Sequence, residues 1–135
     1  MARILVVDDD GQFLRMVDQM LQREGHIVHV ASHGAAGLLC LKRDSFDLAI
    51  VDVFMPRRDG LEVITEIRQD HPQLPVIAIS GGMIPGDATG ITSGVLSVAE
   101  QTFGAARVLR KPLRRQTLIA TIDELLGKTP DDGDR

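Results

Sequence analysis

Tryptophan and tyrosine are absent from this chain, phenylalanine occurs four times, and cysteine occurs once. The aromatic shortage removes the stacking platforms that single-stranded nucleic acids require, and with them the residues that usually sandwich a flavin. The lone Cys40 rules out an intramolecular disulfide and agrees with a reducing compartment. Its neighbours Leu38, Leu39 and Leu41 predict a packed thiol rather than a reactive one. No apolar run approaches the roughly 20 residues needed to cross a bilayer. The run after Met1-Ala2-Arg3 is too short for the apolar core of a secretory signal. The expected location is the cytoplasm, with no membrane partner. Net charge is −4 and the basic residues are scattered. A nucleic-acid footprint needs a basic stripe, so direct nucleic-acid binding is not expected.

What is present is a regular alternation over 135 residues, the size of one domain. A chain of this length buries about two-thirds of its unfolded surface and needs no staple to fold. Strand-length apolar runs occur at Ile4–Val7, Ile27–Ala31, Leu48–Val51, Val76–Ile79 and Val108–Leu109. Four are nearly continuous in apolar residues, as in strands covered by helices on both faces. The second alternates more, which predicts a place nearer an edge. Between the runs the period changes to 3.6. Phe13, Val17 and Met20 share one face with Leu14 and Leu21. Val63, Ile64 and Ile67 mark another helix, Ile91 to Phe103 a further one, and Leu118, Ile122 and Leu125 the last. Asp10 is expected to cap the first helix, Asp59 the third, and Gly127 to stop the last. The pattern is α/β, (βα)₅, which implies a parallel sheet with right-handed crossovers. From Lys128 onward the residues are polar, and 128–135 read as a tail following a domain of residues 1–127.

In such folds function collects at the C-terminal ends of the strands. Strand one ends in Asp8-Asp9-Asp10, strand three in Asp52, strand four in Ser80, and strand five runs into Lys111-Pro112. Two unit charges 4 Å apart repel by about 4 kcal/mol at an effective dielectric near 20. Gathering Asp8, Asp9 and Asp52 is therefore unfavourable unless a cation joins them. Oxygen ligands without nearby thiolate or imidazole suit a hard ion, and Mg²⁺ is the natural candidate. Mg²⁺ beside a carboxylate is equipment for phosphoryl transfer. Asp52 would be the nucleophile. Lys111 would offer an ammonium to one phosphoryl oxygen, and the Ser80 hydroxyl would donate to another. Taken singly, each residue has a plainer reading: a turn or cap for Asp10, a turn for Ser80, a solvated cation for Lys111. Their joint placement after four different strands favours the shared site. His26, His29, His33 and His71 show no metal-ligand spacing.

The segments Ile4-Leu5-Val6-Val7-Asp8-Asp9-Asp10, Asp47-Leu48-Ala49-Ile50-Val51-Asp52-Val53-Phe54-Met55-Pro56, Asp59-Gly60 and Lys111-Pro112-Leu113 strongly resemble the response-regulator receiver family. The resemblance covers residues 2 to about 127. It implies a flavodoxin-like sheet in the order 2-1-3-4-5 and phosphorylation of Asp52 by a histidine kinase or phosphotransfer protein. It further implies Mg²⁺ held by the side chains of Asp9 and Asp52 and by the Phe54 backbone carbonyl, with Asp8 acting mainly through bound water. Ser80 would follow the phosphoryl group on activation, and Lys111 would hold it. The chain departs from the family at three places. Val108 stands where an aromatic switch residue is common. The interval from Ser80 to Lys111 is longer than usual, the excess falling in the glycine-rich stretch 81–90. Phe54 is bulky and apolar at a site that influences attacking water. The stretch reads either as a tolerated insertion or as a segment that reorganises on phosphorylation, and Phe54 as a shield for the phosphoaspartate.

Two other classes compete. A haloacid-dehalogenase-like phosphatase also uses an aspartyl-phosphate and Mg²⁺, but needs an acid two residues after its nucleophile, where this chain has Phe54. A flavodoxin-like FMN site needs neutral donors after strand one, where three aspartates would repel the phosphate. The sequence therefore points to a switch, rather than a turnover enzyme, that signals to a downstream protein by contact, with a homodimer as one available assembly. A stand-alone regulator and a receiver excised from a longer protein read alike.

Overall fold

The computed structural model describes residues 1–53, 59–80 and 107–127. Phe54, the 81–90 stretch, the helix expected at 91–103 and the tail 128–135 lie outside the described residues. The elements in order are β1 (Arg3–Val7), α1 (Gly11–Arg23), β2 (Ile27–Ala31), α2 (Gly34–Arg43), β3 (Leu48–Asp52), α3 (Asp59–Asp70), β4 (Val76–Ser80), β5 (Arg107–Arg110) and a C-terminal helix (Arg115–Leu125). The five strands form one parallel sheet in the order β2-β1-β3-β4-β5. The expected α/β architecture is therefore present.

The continuous apolar runs are explained by burial on both faces of the sheet. Ile4 and Val6 of β1, Leu48 and Ile50 of β3, and Ile77 and Ile79 of β4 pack with Phe13, Leu14, Val17 and Leu21 of α1 and with Leu118 and Ile122 of the C-terminal helix. The alternate residues Leu5, Val7, Ala49, Val51, Val76 and Ala78 pack with Leu41 of α2 and with Val63, Ile64 and Ile67 of α3. Each fully buried aliphatic side chain contributes about 1.5–3 kcal/mol of transfer free energy. The two cores hold the strands between helices, so the strand ends stay fixed. Cys40 is half-buried against the second of these cores.

The edge strands differ from the central three. β2 is only partly covered, as its looser alternation and edge position predict. β5 is also an edge, longer by one residue at each end than the apolar pair Val108–Leu109, and both added residues are exposed arginines. Val108 is partly buried and packs against the α2–α3 core.

Local signals set the helix ends. The Asp10 carboxylate accepts from the backbone N–H of Gln12 and Phe13 at 3.0 and 3.2 Å, the expected cap of α1. His33 caps α2 through Nδ1, which accepts from Ala36 N at 3.2 Å. Nothing in the sequence marks His33 as a cap. Helix α3 starts at Asp59 itself rather than after it. The last helix stops where Gly127 adopts φ 79°, a region that favours glycine.

Candidate functional site

The site is assembled by strand register. Val7 of β1 pairs with Val51 of β3, so the next residues along, Asp8 and Asp52, emerge side by side at the C-terminal edge. Asp52 is paired with Ile79 of β4, and Ser80 with Arg110 of β5, which places Ser80 and Lys111 at the same edge. The backbone N–H of Lys111 donates to the Ser80 carbonyl at 2.8 Å, extending that ladder by one step.

One carboxylate oxygen from each of Asp8, Asp9 and Asp52 lies within 4.8 Å of the others. Asp8 is fully buried, Asp52 is 5% exposed, and Ser80 is 3% exposed. Asp9 is exposed and forms the open side of the group. At no more than 4.8 Å and an effective dielectric near 20, the buried pair Asp8 and Asp52 repel by at least about 3.5 kcal/mol. Lys111 offsets part of this. Its Nζ lies 2.7 Å from Asp8 Oδ2 and 3.7 Å from Asp52 Oδ2, with its side chain 17% exposed. Among the described residues, three carboxylates against one ammonium leave the group net negative.

The two oxygens of Asp8 are served differently. Oδ1 accepts from the Asp10 backbone N–H at 2.8 Å. Oδ2 is buried and touches the Lys111 ammonium, yet the contact is not aligned as a hydrogen bond, so Oδ2 retains unused acceptor capacity. Such a group is costly to leave unsatisfied. A hard cation with its water shell would answer both the charge excess and the spare acceptor, and the donor set is all oxygen. The residues present fit Mg²⁺.

Two neighbours of the site were not legible as such in the sequence. The ring of Phe13 lies beneath Lys111, with Nζ 4.1 Å from its centroid. Phe13 carries the apolar pattern of α1, and nothing in that pattern indicates which cation its face meets. Gly60, in the first turn of α3, packs directly on the chain at Asp52. A Cβ built there would fall 1.8 Å from the Asp52 carbonyl oxygen and 2.8 Å from Val53 Cα. Only glycine allows α3 this approach. The Asp-Gly pair carried part of the family resemblance, but its packing reason appears only in three dimensions.

Of the residues expected at the site, the structure brings Asp8, Asp9, Asp52 and Lys111 together and sets Ser80 at the end of the adjacent strand. The Phe54 carbonyl lies outside the described residues. Asp10 is the helix cap. His26 is a structural residue, its Nδ1 accepting from Ala2 N at 3.1 Å. Among the described residues no helix is long and apolar enough to cross a membrane.

Residues 4–123 match the family described as the response regulator receiver domain. The chain is 35% identical over 126 residues to the transcriptional regulatory protein GlrR of Escherichia coli, covering 93% of this chain and 26% of that protein. It is 36% identical over 133 residues to the response regulator MprA of Mycolicibacterium vanbaalenii, covering 98% of this chain and 54% of that one. The chain thus spans between about a quarter and about half of the length of these relatives. Among solved structures it is similar to a CheY-like receiver domain protein of Methanospirillum hungatei, with a TM-score of 0.80 at 28% identity and 94% of both chains covered.

Proposed function

Because the chain belongs to the response regulator receiver family of two-component systems, we propose that it is a phosphorylation switch whose acceptor is Asp52. The donor is a phosphohistidine on a histidine kinase or phosphotransfer protein. An Asp52 carboxylate oxygen forms the new O–P bond as the P–N bond breaks, and the departing imidazole keeps the electron pair and takes up a proton. Mg²⁺, when bound, would supply charge neutralisation for the phosphoryl oxygens. The side chains of Asp9 and Asp52 and the Phe54 carbonyl would hold the ion. Asp8 accepts a hydrogen bond from water in the site, for which its spare Oδ2 capacity is suited. Lys111 pairs with one phosphoryl oxygen, and the Ser80 hydroxyl donates to another.

The observation that carries this reading is the position of the Lys111 ammonium between Asp8 at 2.7 Å and Asp52 at 3.7 Å, at the edge where three carboxylates converge. A cation that already spans the two acids needs little movement to reach a phosphoryl group on either. Asp52 is the one of the three that lies within a strand, as the last residue of β3 paired with Ile79 of β4, whereas Asp8 and Asp9 follow the end of β1. Residues 1–127 constitute the receiver unit and 128–135 its tail. Its output is contact with a downstream protein target, with a homodimer as one assembly, and its setting is the cytoplasm. With Val108 in place of an aromatic, the switch works without an aromatic flip.

Incubation with acetyl phosphate and Mg²⁺, followed by mass spectrometry, tests the reading. One phosphoryl group is expected on Asp52, absent from Asp52→Asn and from a chelated sample. Labelling at another residue, or labelling that persists in Asp52→Asn, would overturn the assignment.

A further inference from the structure

Phe13 belongs with Leu14, Val17 and Leu21 to the buried stripe of α1, but its ring face also meets a charged group. Phe13 is 7% exposed, and its ring carries an ammonium on its face, 4.1 Å from the centroid, inside the range of about 6 Å at which a cation is attracted by the ring quadrupole. The ammonium is therefore held from two directions. The Asp8 and Asp52 carboxylates draw it toward the cleft, and the ring supports it from below. A lysine side chain has four rotatable bonds and spends its freedom in water unless packed. Here the side chain is only 17% exposed.

The backbone that carries the ring is fixed by the start of the helix. Asp10 accepts from the Phe13 N–H at 3.2 Å, and the Asp10 backbone N–H in turn donates to Asp8 Oδ1 at 2.8 Å. One short segment thus connects an acid of the cleft, the cap and the aromatic ring. Resting on the phosphoacceptor reading above, we propose that Phe13 is a positioning residue: its ring face holds the Lys111 ammonium over the cleft, so that the ammonium can pass from Asp8 to a phosphoryl oxygen on Asp52. Phe13 touches no reacting atom and acts through Lys111.

The test uses two readouts on the full chain. In NMR spectra of the wild type, the Lys111 ε-methylene protons are expected upfield, shielded by the ring below them, and to return toward ordinary values in Phe13→Leu. The rate of Asp52 labelling by acetyl phosphate with saturating Mg²⁺ is expected to fall about five- to thirtyfold in Phe13→Leu, the size of a partly desolvated cation–π contact. Phe13→Tyr, which keeps a π face, is expected to stay within about twofold of the wild type on the same scale. A double-mutant cycle separates positioning from packing. In a Lys111→Met background, Phe13→Leu should cause no further loss. An equal loss in that background, wild-type labelling by Phe13→Leu, or unshifted Lys111 protons in the wild type would each overturn the proposal. Should Phe13→Leu fail to fold, Phe13→Met replaces it, and the wild-type proton shift decides without any variant. A wild type that takes no phosphoryl group at Asp52 would instead remove the phosphoacceptor reading, while the proton shift still reports on the Phe13–Lys111 contact.

Discussion

Replacement of Gly60 by alanine converts a packing detail into a measurable loss. The added methyl carbon would start 1.8 Å from the Asp52 carbonyl oxygen and 2.7 Å from its carbonyl carbon, and both partners are backbone. Real contacts of this kind essentially never fall below 3.0 Å, so the first turn of α3 and the end of β3 must separate by about 1.2 Å. Overpacking against a rigid neighbour costs about 1–3 kcal/mol. The helix propensity gained by alanine is at most about 1 kcal/mol, and less in a first turn. The net expectation is a destabilisation of about 1–2 kcal/mol, which for a domain of this size lowers Tm by roughly 3–8 °C. The effect on chemistry should be larger, because misplacing a reacting group by about 1 Å can cost on the order of a hundredfold in rate. Thermal unfolding and the rate of Asp52 labelling by acetyl phosphate measure the two effects on one sample. Gly37→Ala is the control within the same core. Its Cβ would meet Val7 Cγ2 at 2.8 Å, on a fully buried and χ1-stiff side chain, so a comparable loss of about 1–3 kcal/mol is expected, but with a smaller effect on labelling because the Asp52 backbone is not displaced. Gly11→Ala has nothing within 4 Å and should be neutral or slightly stabilising. A Gly60→Ala protein that melts and labels like the wild type would refute the reasoning.

Two further outcomes follow from the charge balance at the strand ends. Mg²⁺ at a hundred times its dissociation constant should stabilise the fold by about 2.7 kcal/mol, seen as a rise in Tm that a chelator reverses; an undiminished rise in Asp9→Asn would show that the ion binds elsewhere. Lys111→Met should tighten Mg²⁺ binding by about tenfold while slowing phosphoryl transfer, since a unit charge 2.7 Å from Asp8 competes for the same carboxylate with an attraction of about 6 kcal/mol at an effective dielectric near 20, most of it cancelled by desolvation. Calorimetric titration with Mg²⁺ checks this, and unchanged or weaker affinity would show that Lys111 does not compete with the ion.

Much of this molecule is legible in the sequence because its information is local or periodic. The runs at Ile4–Val7, Leu48–Val51 and Val76–Ile79 announce strands buried on both faces, and the residue that follows each run is then placed at one edge by topology alone. That is why Asp8, Asp52 and Ser80 could be assigned before their distances were known. The Asp10 cap is equally local, a carboxylate two and three residues from the amides it serves. What the sequence does not display are contacts between distant segments whose partners carry no periodic mark. Phe13 has the same apolar signature whether its face meets another aliphatic chain or the Lys111 ammonium. The reason for Gly60 lies in the approach of α3 to β3, and His33 lacks the usual composition of a cap. β5 was the least visible strand because it is short, lies at an edge and is flanked by Arg107 and Arg110, so its burial signal is diluted.

The pairing of Val7 with Val51 bears on how errors in folding are reported. Successive side chains of a strand point to opposite faces, so a slip of one residue between β1 and β3 would turn Asp52 away from Asp8 and thrust Val51 or Val53 into its place. The apolar run from Leu48 to Val51 is hydrophobic enough on either face for such a slipped sheet to remain compact. The acids would not tolerate it, because the ammonium of Lys111 would lose one of its two counter-charges. Competence for phosphoryl capture is thus a sensitive gauge of strand alignment, and a misaligned chain would be mute before it was unstable.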